Sequence, residues 1–204
     1  MENIIQPQAK LLKSRIKWTR YFAVLCVGVL LFCAPRLEWL EEVTEWLGYV
    51  CLIIAVAGRV ACTMYVGGRK NETLVAEGPY SIVRNPLYVF SFFGVLGLGF
   101  ITGMMSFLLL LVLAFILYYP HVVAREEAFL HEKFGAVYEN YRNRTPAWIP
   151  NFKLWNSPPL VSANPRFMML TLRDATWFLL AFPLVELIEY GHEIGWLPVL
   201  AHLY

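Results

Sequence analysis

Long apolar runs dominate this chain, at residues 47–66, 87–123 and 168–188, with a shorter one at 21–34. About 20 apolar residues rise ~30 Å as a helix, which is the thickness of the hydrocarbon layer. Lipid offers no partner to a free N–H or C=O, so runs of this kind have to close their backbone bonds internally as helices. Composition agrees, because 58% of the 204 residues are hydrophobic and 16% are charged, against roughly 45–50% and about 25% in an average soluble domain. So large an apolar excess cannot hide in one core and must face lipid. We read an all-α, polytopic integral membrane protein, one membrane domain over residues 1–204, with the bilayer as its partner.

Charge placement orients the spans. Lys10, Lys13, Arg15, Lys17 and Arg20 precede the run 21–34. Pro35-Arg36 follows it where a signal peptide would carry a small-residue cleavage site, so the run reads as a retained first helix with a cytoplasmic N-terminus. An acidic loop from Glu38 to Trp46 then suits the opposite face, with Trp39 and Trp46 at the headgroups. The second span, 47–66, holds one charge, Arg59, which either snorkels to the near interface or points inward to hold an anion. Gly67-Gly68-Arg69-Lys70 marks the return to the cytoplasm.

Gly99 and Thr102-Gly103 split 87–123 into a helical hairpin whose first arm is short for a crossing. Gly94, Gly97 and Gly99 on that arm suit close helix contact, within the hairpin or beyond it. Arg125, Lys133, Arg142, Arg144, Lys153 and Arg166 make residues 121–166 cytoplasmic, helical from 125 to about 142. Pro146, Pro150, Pro158, Pro159 and Pro165 then punctuate an extended connection that carries Trp148 and Trp155 along the membrane surface. The last run, 168–188, contains Arg173, Asp174 and Pro183 and ends on Glu186, Glu189 and Glu193, which suits the far side. About five spans result, with the C-terminus outside. The membrane would be the inner or plasma membrane of a bacterium, or the endoplasmic reticulum of a eukaryote.

Several function classes drop out. A net charge of +2 gives no general basic surface for nucleic acid. Cys26, Cys33, Cys51 and Cys62 sit in apolar runs without metal-ligand spacing and read as small hydrophobes, so no metal is expected. The chain has no dinucleotide or P-loop glycine pattern, and its scattered histidines, His121, His131, His192 and His202, form no nucleophile set.

Two polar clusters remain, both facing the cytoplasm. In the first, residues 78–88, Arg84-Asn85-Pro86 stands at a helix start with Asn85 as a plausible cap. Free N–H groups there attract a carboxylate or phosphate, and Arg84 would add a bidentate grip; the plain alternative is an ordinary cap with a basic anchor. In the second, Glu126 and Glu127 follow the fourth span. Only one of them can look into a given pocket, and a carboxylate there accepts from a ribose diol or an ammonium group. A solvated face is the competing reading. Tyr138 and Tyr141, three residues apart, offer an aromatic wall that suits a purine or a sulfonium, or else an interfacial belt.

On these residues, from about Gly58 to Pro150, the chain resembles the isoprenylcysteine carboxyl methyltransferase family and the related phospholipid methyltransferases. The carriers are Gly58-Arg59, residues 74–88, Arg125-Glu126-Glu127, Phe134-Gly135, Tyr138 and Tyr141. The resemblance implies an S-adenosylmethionine-dependent membrane methyltransferase with a cytoplasmic-side pocket and an extra C-terminal span. It implies cofactor contacts from Tyr80, Arg84, Asn85, Pro86, Tyr88, Glu126, Glu127 and Tyr138, with Arg84 and Glu127 in catalytic roles. Arg59, Tyr141, Arg142 and Arg144 would meet the acceptor. The family motif usually reads Arg-His-Pro-x-Tyr, and Asn85 replaces a titratable histidine with a hydrogen-bonding amide. The acceptor would be hydrophobic or lipid-like, presenting a carboxylate, phosphate, amine or thiol; the oligomeric state stays open. Two other readings compete: a membrane reductase of the sterol-reductase type using NADPH, and a non-catalytic protein that binds lipid or a partner helix.

Overall fold

A computed structural model describes residues 20–36, 38–67 and 72–204, and of residues 38–42 the backbone alone. Lys10, Lys13, Arg15 and Lys17, the side chain of Trp39 and the Gly68-Arg69-Lys70 return lie outside the described residues. Helix α1 is Arg20–Phe32, and a short strand β1, Cys33–Pro35, follows it. Helix α2 is Glu38–Val66. The acidic stretch before the second span is therefore the first turns of that helix and not a loop, since glutamates are stabilised beside the partial positive charge of a helix N-terminus.

A one-turn helix α3, Pro79–Ile82, and helix α4, Pro86–Phe100, both begin on proline, whose fixed φ suits the first helical position. Helix α5, Met105–Phe134, runs well past the apolar part of its sequence and ends at Gly135, whose φ of 53° suits glycine. The polar region is thus two helices, the end of α5 and then α6, Ala136–Arg144. After a 3-10 turn at Phe152–Leu154, helix α7, Pro165–Glu193, opens on Asn164, whose side chain accepts from the N–H groups of Arg166 and Phe167. Strand β2, Ala201–Leu203, closes the order and pairs in parallel with β1, Cys33 opposite Ala201.

Three helices are long and apolar enough to cross a membrane, at Val43–Val66, Met105–Phe134 and Pro165–Glu193, while α1 and α4 are shorter. Length and composition thus support an all-α membrane protein with three such helices among the described residues. Helix α4 rises only about 22 Å, and its packing shows why that suffices. Its glycines each admit a different neighbour: Gly94 lies against Phe178 of α7, Gly97 against Leu52 of α2, and Gly99 against Leu108 of α5. With helices on several sides α4 is a core element, apolar all round.

The two ends of the bundle differ. At one end, Leu52, Ile101 and Val185 form a buried cluster with Leu98, Phe178, Ala181 and Phe182 around it. The β1–β2 pair lies there too, and the Arg36 guanidinium sits 4.3 Å above the Tyr204 ring. The opposite end collects the C-terminus of α2, α3, the start of α4, the end of α5, and α6. The polar clusters meet at that end.

Candidate functional site

The segment 78–85 is held by the proline-rich connection, which folds back on it. The N–H of Gly78 donates to Asn156 O at 2.7 Å, that of Arg84 to Pro146 O at 2.8 Å, and that of Asn151 to Ile82 O at 2.9 Å. Ser81 Oγ donates to Gly78 O and accepts from the N–H of Asn156. Pairing these backbone groups fixes a turn that would otherwise need water. Gly78, at φ 57°, lies against the Tyr65 ring, and Tyr65 in turn is 2.8 Å from Ser157.

Arg84 is held by four hydrogen bonds within the protein. Its Nε donates to Glu127 Oε1 at 3.0 Å and its Nη2 to Oε2 at 3.4 Å. Its Nη1 donates to Arg142 O and Thr145 O, each at 2.8 Å. The cation thus closes the C-terminal carbonyls of α6, where positive charge is favourable. Asn85 occupies the N-cap position of α4 without a side-chain cap bond. Its Nδ2 donates instead to Glu127 Oε1 at 3.0 Å and to Ala147 O at 3.2 Å. The expected grip of Arg84 on an external anion is a grip on Glu127, and the expected amide cap is a second donor to the same carboxylate.

Glu126 lines a cavity of about 730 Å³ including its open mouth. Tyr80, Arg84, Asn85, Pro86, Tyr88 and Tyr141 share its wall with Val66, Thr73, Leu74, Val75, Leu87 and Leu130. Tyr88 donates its hydroxyl to Glu126 Oε2 at 2.8 Å, and Tyr141 donates to Tyr80 O at 2.7 Å. Burial pushes the Tyr80 phenol well above its usual value, and the Tyr141 phenol rises for the same reason. Both stay neutral donors at ordinary pH.

The other sequence candidates lie outside this wall. Tyr138 is 1% exposed, and its hydroxyl is buried with no hydrogen-bond partner among the described residues. Burial, followed by the Glu127 charge, pushes its pKa up to about 12. Arg142 and Arg144 line a separate open groove with Lys153 and Asn151. Arg59 lies in α2, its Nη1 donating to Ser91 Oγ at 2.6 Å. A second cleft, about 1070 Å³ with its mouth, shares Val66, Tyr80 and Leu87 with the first and reaches Thr63, Phe167 and Thr171 between α2 and α7.

Sequence reasoning gave no site role to Thr73, Leu130 and Ser91, ordinary residues without a chemical signal, and took Leu74 and Val75 only as part of the motif stretch 74–88 and not as cavity wall. Chemically, the cavity offers a half-buried carboxylate with one oxygen held by Tyr88, phenol hydroxyls, and apolar and aromatic surface. Such walls suit a ligand with an apolar or aromatic body and a few hydroxyl or ammonium donors.

Residues 45–137, which carry Tyr80 to Tyr88 and the glutamate pair, match the phospholipid methyltransferase family. The chain belongs to this family of membrane methyltransferases. It is 35% identical over 187 residues, 91% of its own length and 86% of the other's, to the cobalt-zinc-cadmium resistance protein CzcN of Cupriavidus metallidurans. It is 35% identical over 160 residues, 78% and 75% of the two lengths, to the nickel-cobalt-cadmium resistance protein NccN of Alcaligenes xylosoxydans xylosoxydans. It is also 33% identical over 115 residues, 52% and 49% of the two lengths, to the protein-S-isoprenylcysteine O-methyltransferase of Schizosaccharomyces pombe. No solved structure matches it.

Proposed function

We propose that this family member is a methyltransferase that takes a methyl group from S-adenosylmethionine and passes it to a hydrophobic or lipid-like acceptor at the membrane surface. One observation carries the reading: the family-matching stretch folds into a cavity where Glu126, steadied by Tyr88, stands among Tyr80, Tyr141 and apolar side chains. The free oxygen of that carboxylate suits a ribose diol or the amino group of the methionine part. Leu74, Val75 and Leu130 suit the adenine, and the phenol faces suit a sulfonium. Arg84, Asn85 and Glu127 hold the wall in shape behind it. The matches are to a methyltransferase family, and the reductase reading is not favoured.

S-adenosylmethionine supplies an activated methyl group on a cationic sulfur. The acceptor's lone pair forms the new bond to the methyl carbon as the carbon–sulfur bond breaks, its electron pair staying on sulfur. Charge is cancelled in this displacement, so alignment and exclusion of water are what the protein contributes. An anionic acceptor needs no base; an ammonium acceptor would lose its proton to Glu126. The second cleft, open between α2 and α7, suits the acceptor's apolar chain. The cavity end is assigned to the cytoplasm by the basic residues around it, with α1 and α4 completing five crossings and the C-terminus outside. Any part in metal resistance would be exercised through the methylated product.

The test is transfer of labelled methyl from S-adenosylmethionine to a membrane lipid extract by the purified protein in nanodiscs. Label in the organic phase that disappears in Glu126→Ala supports the reading; no transfer to lipid, protein or small amphiphilic acceptors by a folded protein contradicts it.

A further inference from the structure

The proline-rich connection has two faces. Its inner face is spent on the fold, through the backbone bonds to Gly78, Ile82 and Arg84. Its outer face carries Ile149, Phe152, Trp155 and Leu160, which are 81%, 75%, 55% and 88% exposed. Large apolar side chains grouped and exposed in this way on a connection between helices mark an interaction surface.

The connection runs at the level of the helix ends. Ser157 Oγ lies 2.8 Å from the hydroxyl of Tyr65, in the last turn of the candidate span Val43–Val66. The N–H of Asn151 bonds to Ile82 O, four residues before α4 begins, and the candidate span Pro165–Glu193 starts just after the connection. That is the depth of lipid headgroups, where amphipathic segments bury their apolar side.

Charge selects the kind of lipid. Between Glu139 and Asp174 the chain carries Arg142, Arg144, Lys153, Arg166 and Arg173 and no acidic residue. Arg142, Arg144 and Lys153 line one open groove with Ile149 and Phe152, so cations and apolar side chains share a surface. The ion pairs among the described residues are Arg84–Glu127 and Arg173–Asp174, which leaves the three groove cations without a carboxylate in salt-bridge reach. A zwitterionic head brings an ammonium group that meets no carboxylate in this groove. An anionic phospholipid brings phosphate oxygens, which guanidinium groups grip bidentately, and no cation of its own.

We propose that the outer face of residues 142–160 docks on the headgroups of anionic phospholipids. Ile149, Phe152 and Trp155 enter the acyl boundary, and Arg142, Arg144 and Lys153 hold the phosphates. The proposal gives a use to two arginines that stand outside the Glu126 cavity wall, and it does not depend on the methyltransferase reading.

The experiment is fluorescence quenching in phosphatidylcholine vesicles that contain the same small fraction of either brominated phosphatidylglycerol or brominated phosphatidylcholine. The signal of Trp155 is the difference between the wild type and Trp155→Phe. Quenching should report an enrichment of the glycerol lipid of about fivefold, the factor that one cation at an anionic surface supplies. Raised salt should shrink that excess, because exposed charges are screened. The triple variant Arg142→Gln, Arg144→Gln, Lys153→Gln should be quenched equally by both lipids, with the melting temperature of the wild type in phosphatidylcholine. Equal quenching of the wild type by the two lipids, or an excess that survives raised salt or the triple substitution, overturns the proposal. Absence of quenching by either lipid overturns it too, and places the segment against water or a protein.

Discussion

Arg84 and Glu127 meet side-on across 43 residues of chain, Nε to Oε1 at 3.0 Å and Nη2 to Oε2 at 3.4 Å. Their side chains are 12% and 17% exposed. The pair ties the start of α4 to the C-terminal part of α5, and Arg84 carries the tie on to the last carbonyl of α6 and to Thr145 O.

Removing one partner of such a pair strands the other. Glu127→Ala should lower stability by ~3 kcal/mol, and Arg84→Met added to it should recover part of the loss. Thermal unfolding of the single and double variants in detergent measures this. A Glu127→Ala protein as stable as the wild type would show that the pair does not lock the helices.

Tyr88→Phe removes the hydroxyl that holds Glu126 Oε2 at 2.8 Å. One hydrogen bond to a charged group is worth about 1.5 kcal/mol, so S-adenosylhomocysteine binding should weaken by roughly tenfold. The melting temperature should hardly move, which separates this change from the previous one.

Much of the fold was legible because lipid imposes helices. The hairpin break at Gly99 to Gly103 and the start of α4 at Pro86 were readable from glycine and proline. Other features depend on partners far away in sequence. Asn85 looked like a cap, yet its side chain makes no cap bond and turns its Nδ2 to Glu127. Glu126 and Glu127 are neighbours on one helix, and only packing shows which one lines the cavity and which one ties Arg84 and Asn85. The proline-rich connection looked like a surface tether, and its backbone bonds to Gly78, Ile82 and Arg84 involve no sequence signal at all. The shortness of α4 was legible too, because Gly99 and Thr102-Gly103 cut its apolar run early.

Gly58→Ala places a methyl group into the Phe90 ring. Helices α2 and α4 would have to part, costing ~1–3 kcal/mol, and the neighbouring bond from Arg59 to Ser91 would lengthen. A reduced melting temperature is the expected result; an unchanged value would mean that the ring moves aside freely.

Alkaline pH should destabilise the protein through Tyr138. Its folded pKa of about 12 lies above the unfolded value near 10, so the fold holds the proton more tightly. That stabilisation is complete below about pH 10 and is lost as pH rises toward the folded value. Melting temperature against pH should fall less steeply over that window in Tyr138→Phe than in the wild type, and equal slopes would remove Tyr138 from the account.

The central claim is that the cavity around Glu126 holds S-adenosylmethionine, and equilibrium binding of this cofactor to the protein in nanodiscs tests it most directly. The account expects saturable binding that Glu126→Ala weakens at least about tenfold, without lowering the melting temperature and without competition from NADPH. A folded wild type that binds no S-adenosylmethionine, or a Glu126→Ala variant that binds it as well as the wild type does, would contradict the account.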